Sequence, residues 1–317
     1  MKLFQRKKYG NIREITVLGI KFNYVKKIKL PPHINKEKLL PDVVNFQDKG
    51  VTLEKRSPRL IVSLTSFPDR MNEIHFTIYS LLKQTEKPDE VVLWLAKEQF
   101  PNGEKDIPEI VLKLKGNGLT IKWCDDLRSY KKLIPSLKEF PNDIIIVVDD
   151  DDDIYYNNRW LEKLYREYLK TPDCVIGTRG HLVALNKEGY PLPYEQWKKN
   201  VILNKPSYRN FMTGCGGVLY PPRVLYKDVD DISLFKKLAP YADDVWFWAM
   251  TVLNGIKIRN FAGRKARKLL YVNPERELRL TNELTLAKLN IEQDGNNKQI
   301  RQVIEYYPQL IDKLKKS

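Results

Sequence analysis

Between residues 60 and 148 the chain alternates two hydrophobic rhythms. Leu60–Leu64, Glu90–Leu95, Leu119–Trp123 and Ile144–Val148 are short apolar runs rich in Val and Ile, the pattern of strands buried on both faces. Between them apolar residues recur at helical spacing: Ile74, Ile78, Leu81 and Leu82 in a stretch that Lys87-Pro88 ends, then Ile110–Leu114, then Tyr130 towards Phe140. Strand and helix in alternation without hairpins predict right-handed crossovers, and so an α/β fold with a Rossmann-like, mainly parallel sheet and helices on both faces. The later half is mixed. Cys174–Arg179 and Leu182–Leu185 have strand character, Tyr190–Trp197 is a Pro- and aromatic-rich loop, Tyr241–Leu253 opens and forms an apolar helix, and Asn296–Tyr307 is a closing helix. Residues 1–57 have the pattern of a basic appendage, with a hairpin about Ile15–Phe22 and a break at Pro31-Pro32, and 58–317 that of one domain.

One junction stands out for its chemistry. Five aspartates, Asp149–Asp153, follow directly on the apolar run Ile144–Val148, and Ile154-Tyr155-Tyr156 leads from them into an aromatic helix start at Tyr155–Trp160. The carboxyl end of a buried parallel strand is where open α/β sheets bind ligands. Carboxylates at that density raise one another's pKa unless a cation neutralises them, and with almost no His or Cys nearby the expected ion is Mn²⁺ or Mg²⁺ rather than zinc. The alternative is a solvated acidic loop. An EF-hand would need a mid-loop Gly and a terminal Glu, neither in register here. Side chains alternate along an extended segment, so only alternate aspartates share one ion easily. Asp151 and Asp152 are both expected near it, with the direct ligand undecided among Asp149–Asp153.

Charge narrows the ligand. The 317 residues carry 55 basic and 40 acidic side chains, a net charge of +15, so an anionic partner is expected: a nucleotide diphosphate, an acidic glycolipid, a membrane surface or nucleic acid. There is no Gly-x-Gly-x-x-Gly after the first strand and no P-loop, which leaves phosphates to a metal and side chains. The three cysteines, Cys124, Cys174 and Cys215, are far apart and fit a reducing compartment. The basic start lacks the apolar stretch of a signal peptide, and no apolar run approaches a spanning length, so the expectation is a cytoplasmic protein, with any membrane contact peripheral.

Four stretches together resemble family 2-type bacterial glycosyltransferases of GT-A fold, of the kind that build lipopolysaccharide or capsule. They are Val62–Arg70, the phrase Ser80-Leu81-Leu82-Lys83-Gln84-Thr85 with its continuation to Val91, the aspartate run, and Thr213–Val218. The resemblance covers about residues 58–310. It implies a metal-dependent, inverting transfer from a nucleotide sugar, a UDP-sugar foremost, to a glycan or lipid-linked acceptor. In that family the strand-end carboxylates form a DxD motif on the diphosphate, which here implicates Asp149 and Asp150 beside the donor and Asp150, Asp151, Asp152 and Asp153 at the metal. Five aspartates stand where three or four are usual, which leaves the register open. The resemblance also assigns Thr65, Ser66, Asp69, Arg70 and Asp125 to the donor's base and ribose, Lys131 and Lys132 to the diphosphate, and Gly214, Gly216 and Gly217 to the donor sugar. It puts the catalytic base at the acidic pair, Asp244 first and Asp243 second.

Each assignment has a structural rival. Asp125 fits a helix N-cap before Leu127, Lys131 and Lys132 a solvated face, Trp197 an aromatic core, the glycines a bulged strand, and one of Asp243 and Asp244 a helix cap. The basic tail Arg264–Arg279 fits a solvated surface as well as an anion site. Two other functions use the same features: a nucleotidyl- or phosphotransferase on the same metal, or a non-enzymatic basic nucleic-acid-binding protein. No recognisable nucleic-acid module is present, and no nucleic-acid partner is expected.

Overall fold

The computed structural model describes residues 4–9, 12–17, 20–25, 30–148, 154–261, 269–277 and 295–317. Strands β1 (Phe4–Tyr9), β2 (Ile12–Val17) and β3 (Ile20–Val25) form an antiparallel meander that pairs with no other described strand. The segment after it joins the body. Ile34 donates to Tyr271 O at 3.1 Å, Tyr271 N donates to Pro32 O at 2.9 Å, and Val43 of α1 (Lys36–Val44) packs with Phe76, Tyr79 and Val272.

The strands predicted from the apolar runs are β4 (Leu60–Thr65), β5 (Glu90–Ala96), β6 (Leu119–Cys124) and β7 (Ile144–Val147), all parallel, with β4 between β7 and β5. Helix α2 (Ile74–Leu82) crosses from β4 to β5, α3 (Glu109–Lys113) precedes β6, and α4 (Ile134–Glu139) precedes β7. Period-two alternation sends Leu60, Val62, Leu64, Ile144, Ile146 and Val148 to one core and Ile61, Ile145 and Val147 to the other. Near-continuous hydrophobicity in these strands is therefore the consequence of two covered faces.

Beyond β7 the direction breaks. β8 (Ile154–Tyr155) is a short strand pairing with Leu270–Tyr271, so the helix expected from Tyr155 begins only at Trp160, as α5 (Trp160–Lys170). β9 (Val175–Gly177) and β10 (Gly180–Leu182) follow; where a strand over Leu182–Leu185 was expected, β10 ends at Leu182 and beyond it Leu185 makes only an isolated bridge, to Pro191. β11 (Leu203–Ser207), β12 (Asn210–Met212) and β13 (Val218–Tyr220) complete the middle of the chain. β13 runs antiparallel between β7 and β9, with Val218 opposite both Val147 and Gly177. The eight-stranded sheet ends with β14 (Ile258–Asn260), parallel to β9, and with β11.

After α6 (Ile232–Leu238), α7 (Asp243–Leu253) is apolar on every side and buried from Val245 to Leu253, as such a helix must be. Two closing helices, Gly295–Tyr306 and Gln309–Lys315, lie over it with Val303, Leu310 and Leu314 fully covered. Among the described residues no helix is long and apolar enough to cross a membrane.

Two histidines are shut in. His75 is 5% and His181 2% exposed; burial, above all, lowers both to about 4. His181 Nδ1 accepts from Asn200 N at 3.1 Å, so its ring is held neutral. A folded-state pKa below the unfolded value of 6.5 means the unfolded chain takes up protons first, so this stability is present above pH 6.5 and is lost as pH falls towards 4. Each histidine accounts for at most about 3 kcal/mol of that loss. Urea unfolding from pH 7 to 4 is expected to give a visibly shallower decline for His75→Leu than for the wild type, and equal slopes would contradict the assignment.

Candidate active site at the carboxyl edge of the sheet

The antiparallel insertion of β13 gathers chain ends from both halves of the sheet at one edge. Val148 N donates to Ser63 O at 3.1 Å, so the chain leaves β7 beside Thr65 and Ser66. At the start of β13 lies the turn Gly214–Gly216, and past the end of β9 lie Thr178 and Arg179. The run Asp149–Asp153 lies outside the described residues, though both flanks, Val148 and Ile154, are buried at this edge. Its donor set is wholly carboxylate oxygen, which fits a hard cation such as Mg²⁺ or Mn²⁺. Among the described residues no group of three or more His, Cys, Asp or Glu side chains is placed to hold a metal.

Neither lysine lies on a solvated face. Lys131 is 3% exposed and donates to Asp126 Oδ1 at 3.0 Å. Lys132 is 1% exposed and ion-paired with Asp243. Its position is fixed from behind by a buried polar network: Ser63 Oγ donates to Lys132 O at 2.5 Å and meets Ser136 Oγ at 2.8 Å, while Trp94 Nε1 donates to Ser136 at 2.7 Å. The cap role considered for Asp125 is not seen: Leu127 is the N-cap of the turn Arg128–Lys132, with no side-chain cap bond. Asp126 accepts from Arg128 N at 2.8 Å, whereas Asp125 is exposed. Burial pushes Asp126 upward, but the Arg128 N–H and Lys131 outweigh it and hold its carboxyl below the usual range.

The acidic pair divides. Both residues sit in the first turn of α7, where the helix dipole favours negative charge, and neither is the cap, since Ala242 occupies that position. Asp243 turns inward to Lys132, and Asp244, half-buried, accepts from Gly214 N at 3.0 Å. Tyr130 and Tyr220 lie nearby; burial first, and then Asp243 and Asp244, push their hydroxyls well above the usual range, so both stay neutral.

Sequence reasoning took the glycines as room for a ligand, but at two of them the close approach is to protein. A Cβ on Gly216 would stand 2.5 Å from Thr178 Oγ1, and one on Gly217, whose φ is +89°, would stand 2.3 Å from Trp160 Cζ2. Trp160 Nε1 and Thr178 Oγ1 both donate to Gly216 O. Gly214 is the glycine that faces the acidic pair.

In the loop after β4, Thr65 Oγ1 donates to Trp94 O at 2.8 Å, Ser66 is buried, Asp69 is exposed, and the Arg70 guanidinium lies 5.5 Å from the Phe67 ring centre. These four share the edge with Val148 but stand on the side of β5 and β6. Trp197 is core: it is buried, packs 5.3 Å from Phe211, and donates to Leu192 O at 2.8 Å. The basic stretch at 264–268 lies outside the described residues, as does 279. Sequence reasoning missed Arg179, which donates to Thr213 Oγ1 at 2.9 Å and Cys215 Sγ at 3.0 Å. A basic residue closing a strand was the available signal, and it is a weak one without the pairing of β9 to β13.

No family model matches the chain, and no curated protein matches it. Solved structures do. The mannosyltransferase PcManGT from Pyrobaculum calidifontis, in complex with GDP-Man and Mn²⁺, is 11% identical over 85% of this chain and 69% of that one, at a TM-score of 0.46. TarS 1–349 from S. aureus is 15% identical over 81% and 83%, at 0.45. A CMP:2-keto-3-deoxy-manno-octonic acid synthetase complexed with CTP is 15% identical over 65% and 89%, at 0.39. Likeness of this extent fixes neither reaction nor ligand.

Breaking a buried pair leaves an uncompensated charge, so Lys132→Met and Asp243→Asn are each expected to cost about 3–5 kcal/mol in urea unfolding. Lys132→Met/Asp243→Asn together should cost clearly less than the sum of the two. Strict additivity would show that the pair is not an energetic unit.

Proposed function

We propose that the protein is a metal-dependent, inverting glycosyltransferase, moving a sugar from a nucleotide-sugar donor to a glycan or lipid-linked acceptor in bacterial surface polysaccharide synthesis. The observation that carries the reading is the half-buried Asp244 carboxylate, oriented by the Gly214 N–H at the sheet edge from which the aspartate run departs. In this reading residues 58–317 are the catalytic domain and 1–57 an appendage. The protein works in the cytoplasm, peripherally on the inner face of the membrane.

An inverting transfer needs a carboxylate to accept the acceptor hydroxyl's proton as its oxygen attacks the anomeric carbon and the bond to the diphosphate breaks. Asp244 is that base. Asp243, neutralised by Lys132, keeps the first turn of α7 in place rather than taking the proton. Asp150–Asp153 would hold Mn²⁺ or Mg²⁺, with Asp149 and Asp150 beside the donor; when bound, the metal stabilises the departing diphosphate. Thr65, Ser66, Asp69, Arg70 and Asp125 receive the nucleoside, and Gly214 the sugar.

The test is turnover with the activating donor, read by chromatography of the nucleotide product and mass of the glycan. Asp244→Asn is expected to lower kcat by about 10²–10⁴ with donor affinity unchanged, and EDTA to abolish turnover that Mn²⁺ restores. Pyrophosphate in place of a nucleoside diphosphate would contradict the reading, as would full activity in Asp244→Asn.

A further inference from the structure

The cations near this edge are unequally engaged. Lys131 faces Asp126 and Lys132 faces Asp243. Arg179, half-buried, has no carboxylate partner among the described residues. Its Nη1 donates to Thr213 Oγ1 and Cys215 Sγ, and no described residue accepts from Nε or Nη2. A guanidinium is a rigid fork whose Nε–Nη2 edge matches two oxygens of one carboxylate or phosphate. Holding Nη1 from one side leaves that edge presented. A guanidinium withdrawn from water without an anion is electrostatically incomplete.

Position says which part of a ligand it meets. Gly177, two residues before Arg179, shares Val218 with Val147, so β9 lies two strands from β7 on the side away from β4, β5 and β6. At ordinary strand spacing that is about 10 Å. Thr213, which Arg179 contacts, adjoins Gly214, which orients Asp244. Arg179 therefore stands beside the turn that orients the proposed base, across from β4, β5 and β6.

We infer that Arg179 binds an anionic group, phosphate or carboxylate, on the acceptor, with Thr213 and Cys215 aiming its fork. The word acceptor rests on the transferase reading; the anion site does not. Two arms keep them apart. The first is melting temperature in EDTA with inorganic phosphate as probe. Phosphate raises it for the wild type and for Arg159→Gln, an exposed control; Arg179→Gln loses the rise, and Arg179→Lys, a point charge without the fork, binds several-fold more weakly. A wild-type response in Arg179→Gln overturns the inference, and if that variant does not fold, an unchanged response in Arg179→Lys does so.

The second arm is transfer. Arg179→Gln should raise KM for acceptors bearing phosphate or carboxylate about tenfold or more, leaving neutral acceptors and donor affinity unchanged. An equal loss in donor affinity would put Arg179 on the donor and overturn the assignment. If the wild type transfers no sugar, the proposed function fails while the phosphate arm still decides the anion site.

Discussion

The buried ion pair between Lys132 and Asp243 is the constraint on which this edge depends. It joins a turn packed under β4 and β5 to the first residue of α7, and both side chains are nearly closed to water. Such a pair contributes little as a pair, because desolvation offsets attraction, yet losing one member is severe. Its value is therefore positional. With Asp243 held inward, the next residue faces the glycine turn, and Asp244 meets Gly214 N. Together the inward ion pair and the Asp244 contact fix the rotation of a helix as apolar as α7 about its own axis.

A second constraint is the reversed strand. In a purely parallel sheet the chain after β13 would leave from the same edge as β7; instead β13 enters from it. The turn before β13 is thereby brought beside the end of β7, and β9 brings Thr178 and Arg179 to the same place. The close packing of Gly216 against Thr178 and of Gly217 against Trp160 makes this junction rigid. The glycines are thus needed by the protein itself, whatever ligand lies beyond them.

The parallel half was legible because its strands are buried on both faces, and that burial writes itself into the chain as unbroken Val and Ile. The mixed half was less so. β10 and β14 span three residues each, too short to show a period, and β8 was hidden in an aromatic stretch that resembles a helix start. Trp197 left its two readings open, since an indole that packs on Phe211 and one that stacks on a sugar have the same sequence surroundings. The lysine-aspartate pair was invisible for another reason: its members are 111 positions apart by their numbers, 243 less 132, and only the fold joins them. Arg179 belongs to the same category.

The most direct test of the transferase account is the melting temperature of the full chain with UDP-, GDP-, CMP- and dTDP-sugars, each in Mn²⁺ and in EDTA. The account predicts that one nucleotide class stabilises the protein in Mn²⁺ alone, by about 2.7 kcal/mol at a hundred times its Kd. It also predicts that this gain survives in Asp244→Asn and disappears when Asp150, Asp151 and Asp152 are replaced by Asn. Stabilisation by no donor with either additive, or an equal gain in EDTA, would contradict it.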